Sequence, residues 1–284
     1  MRIGARAAKH TLAERIAGAL QSVPGVTAVA LGGSLARGQA QPDSDIDLGI
    51  YYRAEHPPDI QDFRRVARVL GDASAGETVT DYGAWGAWVN GGAWLEIAGE
   101  RVDWIYRELG HVEAVVERCQ RGHPERQTHG GHPHGFHSHI YLGEVFYSRI
   151  LSDPAGELAR LKARVRDYPA KLQEALIKTY LWEAEFALLI SEKPAARGES
   201  SYVAGCFFEC VYALVQVLFA LNERYFVNEK GAVDATRTLG RCPAGFADDV
   251  ADIMGSVGST AAALERNRQR LQTLLTQVAA LTAP

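Results

Sequence analysis

Residues 32–50 read GGSLARGQAQPDSDIDLGI, and the parsing of this stretch decides the fold. Before it, Val26 to Leu31 is an apolar run of the length of a short buried strand. At its end Asp45-Ile46-Asp47 leads into Leu48, Gly49, Ile50 and Tyr51, a second strand. Alternate side chains of a strand share a face, so Asp45 and Asp47 point one way while Ile46 and Leu48 point into the core. Two carboxylates side by side repel each other. A divalent cation removes that cost, and hard oxygen ligands suit magnesium. Upstream, Gly32 and Gly33 let the backbone turn tightly and approach a ligand. Ser34 adds a hydroxyl, and Leu35-Ala36-Arg37 starts a short helix whose first amides favour phosphate oxygens.

A Gly-Ser pair, a spacer, and two acids flanking an apolar residue resemble the signature of the DNA polymerase beta-like nucleotidyltransferase superfamily. The resemblance is carried by Leu31 to Ile50, including the Arg37-Gly38 and Asp43-Ser44 that many small members share. It implies an α+β fold: a small mixed β-sheet catalytic domain with flanking helices. The implied reaction moves a nucleoside monophosphate from a triphosphate, ATP here, to a hydroxyl and releases pyrophosphate. Two Mg2+ ions are implied, held by Asp45 and Asp47, with Gly33, Ser34, Arg37 and Ser44 against the nucleotide. The superfamily adds a third carboxylate on a later strand. Asp103, an acid in the otherwise largely apolar run Arg101 to Ile105, fits best, with Glu96 in reserve.

The 284 residues suffice for two domains with separate cores. A net charge of −4 argues against holding nucleic acid mainly by a basic surface. The amino-terminal segment mixes Arg, Lys and Glu among its apolar residues, unlike a secretory signal. Four cysteines do not make a disulfide framework, so a cytoplasmic location is expected. Tyr202 to Leu221 has the length of a membrane span, but Glu209 and Gln216 interrupt it, so a buried core helix is expected and no membrane partner.

Two domains are expected, a catalytic one over residues 1–152 and a helical bundle over 153–284. In the first, helical spacing covers Ala7 to Gln21, and Asp59 caps a helix running to Leu70. Trp85 to Val89 reads as a strand, and Trp94–Ile97 with Arg101–Ile105 reads as a hairpin about Ala98-Gly99-Glu100. Val112 to Cys119 is helical and Tyr147 to Leu151 a last strand. Between these, RGHPERQTHGGHPHGFHSHIY carries six of the nine histidines and is expected to be a loop without zinc. In the second half Leu172, Leu176, Tyr180, Ala184 and Leu188 recur every four residues, and further amphipathic helices follow, as in a bundle. Lys230 stands where antibiotic-modifying adenylyltransferases with a carboxy-terminal helical domain carry a phosphate-contacting lysine, which implies that role for it. Lys178, Glu183 and Glu185 are further acceptor candidates.

The leading expectation is thus a Mg2+-dependent adenylyltransferase acting on a small-molecule hydroxyl such as that of an aminoglycoside-like antibiotic. Modification of a macromolecule, a tRNA end or a protein side chain, is the second. A nucleotide-binding regulator with an inactive site is the third.

Overall fold

Parity along two strands sets the sheet. The computed structural model describes residues 3–283. Helix α1 (Ile3–Gln21) leads into β1 (Val26–Leu31), the short turn-helix α2 (Gly33–Ala36) and β2 (Ile46–Tyr52). Next come α3 (Ile60–Leu70), α4 (Gly86–Val89), β3 (Gly92–Ile97) and β4 (Glu100–Glu108). Then α5 (Leu109–Gln120), β5 (Arg126–His129), β6 (His132–His137), α6 (Ile140–Tyr147), β7 (Arg149–Ser152) and α7 (Glu157–Arg164) follow. The chain closes with α8 (Ala170–Ala196), α9 (Ser200–Leu221), α10 (Ala232–Ala235), α11 (Phe246–Gly255) and α12 (Ala261–Thr282).

Five strands form one mixed sheet in the order β3-β4-β2-β1-β7. β2 and β4 run parallel, while the other neighbours are antiparallel. Ile46, Leu48 and Ile50 of β2 and Val102, Trp104 and Tyr106 of β4 are buried on one face, with Ile16 and Leu20 of α1 and Phe63 of α3 in the same core. α3 starts where Asp59 accepts the Gln61 N–H, the expected N-cap. The β3–β4 turn is tight because Ala98 and Gly99 both take positive φ, 54° and 78°, as a two-residue hairpin turn of matching twist requires.

The chain divides into two compact units. One comprises the residues up to Glu117 with Tyr141–Asp167, and the other Arg118–Ile140 with Tyr168 onward. The chain therefore enters the second unit within α5, returns at the start of α6, and leaves again after α7. In the second unit α8 buries Leu172, Leu176, Tyr180, Ala184 and Leu188, the expected stripe. It packs against α9, and α12 packs on both. α9 is long and apolar enough to cross a membrane by length and composition, but 67 % of its apolar window is buried inside the protein, as in a core helix.

Two expectations fail. Trp85 to Val89 is not a strand: α4 forms over Gly86–Val89, and only Trp88 of it is buried, so no alternating face exists. The histidine-rich segment is not a loop. β5 and β6 pair as a hairpin, and His134, His137 and His139 are buried.

Candidate active site

On the face opposite the core, the sheet carries a short grid of side chains. Parallel register pairs Asp47 of β2 with Asp103 of β4. Antiparallel register then pairs Asp103 with Trp94 of β3. One strand-to-strand row thus reads Trp94, Asp103, Asp47, and at its β1 end the Gly32 N–H donates to the Asp47 carbonyl at 2.8 Å. In the neighbouring row Glu96 pairs with Arg101, and Asp45 immediately precedes β2. The three expected carboxylates, Asp45, Asp47 and Asp103, are brought together.

The turn after β1 is fitted to them. Gly33 has φ +58°, and a Cβ there would lie 1.7 Å from Asp47 Oδ2. Only glycine satisfies both demands, since φ is left-handed and the space is filled. Ser34 lies in α2, and the Arg37 Nε folds back to donate to the Gly33 carbonyl at 3.3 Å. Ser44 serves the loop before β2: its hydroxyl accepts the Gln41 N–H at 2.9 Å, and its carbonyl accepts from Lys9 Nζ at 2.6 Å. Lys9, a buried lysine on α1, also pairs with Glu100 at 2.8 Å. Arg101 donates to the Asp43 carbonyl at 2.6 Å and holds Asp45 Oδ1 at 2.7 Å through Nε. The loop leading to Asp45 is thereby tied to α1 and to β4.

Electrostatics at the row are unfavourable without a cation. Burial pushes the Asp47 carboxyl up to about 7, and Asp103 and then Asp45 push the same way, while Arg37 opposes them. Asp45 Oδ1 is buried, and the Arg101 guanidinium at 2.7 Å is its counter-charge. Carboxylates that share a face and raise one another's protonation offer hard oxygen donors, the chemistry that suits a divalent cation of the magnesium type.

Sequence reading missed four residues here. Lys9 fixes the Asp45 loop, yet reads as one cation of an amphipathic helix. Glu144 on α6 bonds the buried Arg107 through both oxygens, at 2.9 and 2.8 Å, and adds to the pressure on Asp47. No motif announces Arg107 or Glu144. Trp94 faces Asp103 because Glu100 opens β4 and the turn is Ala98-Gly99 alone; the expected turn about Ala98-Gly99-Glu100 would have set Trp94 opposite Trp104. Glu96, the reserve carboxylate, is exposed and lies in register with Arg101 rather than with the other acids.

The remaining candidates lie in the second unit. Lys230 is exposed, with its N–H donating to Asn228 Oδ1 at 2.8 Å; Lys178 and Glu185 are exposed on α8. Glu183 of α8 belongs to a cluster with His134 and Glu209 whose ligand atoms lie within 4.8 Å of one another, a spacing that suits a metal ion. A cation already fills its centre. Arg126 Nη1 is 2.9 Å from Glu183, 2.8 Å from Glu209 and 3.3 Å from His134 Nε2. Behind it His134 Nδ1 meets His137 Nε2 at 3.1 Å, and His137 Nδ1 meets the Tyr180 hydroxyl at 2.6 Å. His139 Nε2 meets Gln216 at 3.0 Å. The polar residues that interrupt α9 thus each meet a histidine of this segment, while Gln216 Nε2 and His139 Nδ1 remain buried without a partner among the described residues.

One family match covers the residues of this site. Residues 13–114 match the family described as "Nucleotidyltransferase domain", and residues 138–231 match one described as "Domain of unknown function (DUF4037)". No curated protein matches the chain. Among solved structures, a nucleotidyltransferase-like protein from Exiguobacterium sibiricum is similar at 11% identity and a TM-score of 0.41, over 97% of this chain and 73% of that one. The matched residues hold β1, the Gly33-Ser34 turn, β2 and β4, and with them every expected carboxylate. Residues 13–114 are a nucleotidyltransferase domain of the DNA polymerase beta type.

Proposed function

We propose that this protein transfers the adenylyl group of ATP to a hydroxyl of a small amino-sugar-like acceptor, with magnesium held by Asp45, Asp47 and Asp103. The observation that carries this reading is the register of Asp47 with Asp103, with Gly33 shaped around the Asp47 carboxylate. Bound divalent cations would neutralise triphosphate oxygens and make the acceptor hydroxyl more acidic. Gly33, Ser34 and the amides of that turn grip the outer phosphates, and Arg37 adds positive charge to them. Ser44 acts through the loop that sets Asp45. The acceptor oxygen forms its bond to the α-phosphorus in line with the bond that breaks, and that bond's electron pair leaves with pyrophosphate. Asp103 takes up the acceptor proton at a carboxylate oxygen. Such positioning and charge neutralisation are what phosphoryl-group transfers ask of a protein.

Incubation with α-labelled ATP, Mg2+ and, in separate arms, an aminoglycoside panel, bulk tRNA and lysate protein tests this. Label is expected in an aminoglycoside. Label in RNA or protein would overturn the acceptor class, and no pyrophosphate release with any acceptor would overturn the activity.

A further inference from the structure

Trp94 is 64 % exposed on the sheet face that carries the carboxylates, in register with Asp103. Leaving an indole in water forgoes the burial that usually stabilises it, about 1.5–3 kcal/mol for a large apolar side chain. Yet this indole is held. Trp85 stacks on it with ring centroids 4.6 Å apart and planes 21° from parallel. Room for Trp85 comes from Gly92, where a Cβ would lie 3.0 Å from Trp85 Cζ3 and 1.8 Å from the Trp104 carbonyl oxygen. One side of Trp94 is braced and the rest is open. Glu96, two residues along and on the same face, is exposed with no ion-pair partner among the described residues.

The row has a direction. At its β1 end stands the Gly33-Ser34 turn, and at its β3 end stands Trp94. If outer phosphates occupy the turn, pyrophosphate departs toward β1. In-line displacement then brings the attacking oxygen from the opposite side, over Asp103 and toward β3. Resting on the adenylyl-transfer reading above, we propose that Trp94, braced by Trp85, is the acceptor platform, and that Glu96 is its charge-selecting neighbour. The chemistry selects a ring with an apolar C–H face and an ammonium group, an amino-sugar or aminocyclitol. The ring stacks on the indole, and the ammonium gains from Glu96 and from the indole face. A neutral sugar uses only the stack. An RNA end brings phosphates to a face already crowded with carboxylates.

Calorimetric titration of the full chain with kanamycin A, streptomycin and methyl glucoside, alongside separate titration with ATP and Mg2+, tests the proposal. Wild type binds at least one amino-sugar more tightly than methyl glucoside. Trp94→Ala weakens amino-sugar binding about 10-fold or more, and Trp94→Phe restores part of it, as stacking and cation–π energies require. Glu96→Gln weakens the amino-sugar and leaves methyl glucoside unchanged. ATP affinity stays within about two-fold in all three variants, and because both side chains are exposed the unfolding midpoint holds. Unchanged amino-sugar affinity in Trp94→Ala, no amino-sugar binding by wild type, or loss of ATP affinity in that variant would each overturn it. Failure of ATP binding in wild type with amino-sugar binding intact sinks the donor reading and leaves the platform standing.

Discussion

The Asp47 carboxylate occupies the volume that a side chain at Gly33 would need, with Oδ2 1.7 Å from the position of a Cβ. The Gly33 turn and the Asp47 carboxylate are therefore one packed object, although they stand fourteen positions apart in sequence (47 − 33). Gly33→Ala imposes a left-handed φ on alanine and drives Asp47 away, so both backbone strain, about 1 kcal/mol, and misplacement of the carboxylate follow. Turnover is expected to fall about 100-fold or more, with only a modest loss of thermal stability. Wild-type rates in this variant would show that Asp47 need not sit where it does.

Asp47→Asn separates stability from activity. The folded carboxyl titrates at about 7 against 3.8 for an ordinary aspartate, so between those values the folded chain keeps a proton that the unfolded chain has lost. Stability without metal therefore falls as pH rises from about 4 to 7 and stays low above that. The asparagine variant escapes this and gains roughly 4 kcal/mol over metal-free wild type at pH 8, while losing turnover. Mg2+ raises the melting temperature of wild type and hardly that of the variant. A destabilised variant, or equal Mg2+ response in both, would contradict the metal assignment.

Acid acts oppositely on the helical unit. His139 and His134 are buried, which lowers each to about 4 from 6.5. The unfolded chain then takes up protons below pH 6.5 that the folded one refuses until about 4. Their contribution is complete above 6.5 and is lost through that window, roughly 3 kcal/mol for His139 alone. Urea unfolding followed at pH 7 and pH 5 should show the loss in wild type and a smaller one in His139→Gln. Equal losses would place the acid lability elsewhere.

Lys9→Met tests the loop tether. The buried ammonium bonds the Ser44 carbonyl and Glu100, and methionine keeps the volume while removing both bonds. The expected cost is about 1–3 kcal/mol in stability. Because Asp45 follows Ser44, a weaker apparent Mg2+ affinity should accompany it. A variant as stable as wild type with unchanged Mg2+ dependence would remove Lys9 from the site.

Glu144→Gln leaves the Arg107 guanidinium buried without its counter-charge, since Glu144 supplies both carboxylate bonds to it. Breaking one side of a buried pair costs about 3–5 kcal/mol. Chemical denaturation should register that loss even though neither residue belongs to the motif. A loss below 1 kcal/mol would mean that solvent or another acid replaces the pair.

Much of the five-stranded sheet was readable because its signals are local. Parity along Ile46–Tyr52 and Arg101–Ile105 puts the acids on one face, but the register that joins Asp103 to Trp94 was missed by one residue, because Glu100 belongs to β4 and not to the turn. The histidine hairpin was not readable, because its reasons lie far along the chain. His137 bonds Tyr180 and His139 bonds Gln216, across 43 and 77 residues. Gln216 and Glu209 inside an apolar helix were a usable hint, since buried polar groups demand partners. The helix of Gly86–Val89 was lost to a composition of Trp, Val and Ala that suits a strand equally well.

The histidine hairpin belongs to the second unit while its chain neighbours on both sides belong to the first. No single cut, at residue 152 or elsewhere, yields two self-sufficient pieces. A fragment starting after Ser152 would strand Tyr180, Gln216 and Glu229 without the imidazoles that answer them. Synthesis inherits the same constraint: the amino-terminal half emerges from the ribosome carrying a β-ribbon whose polar partners have yet to be made.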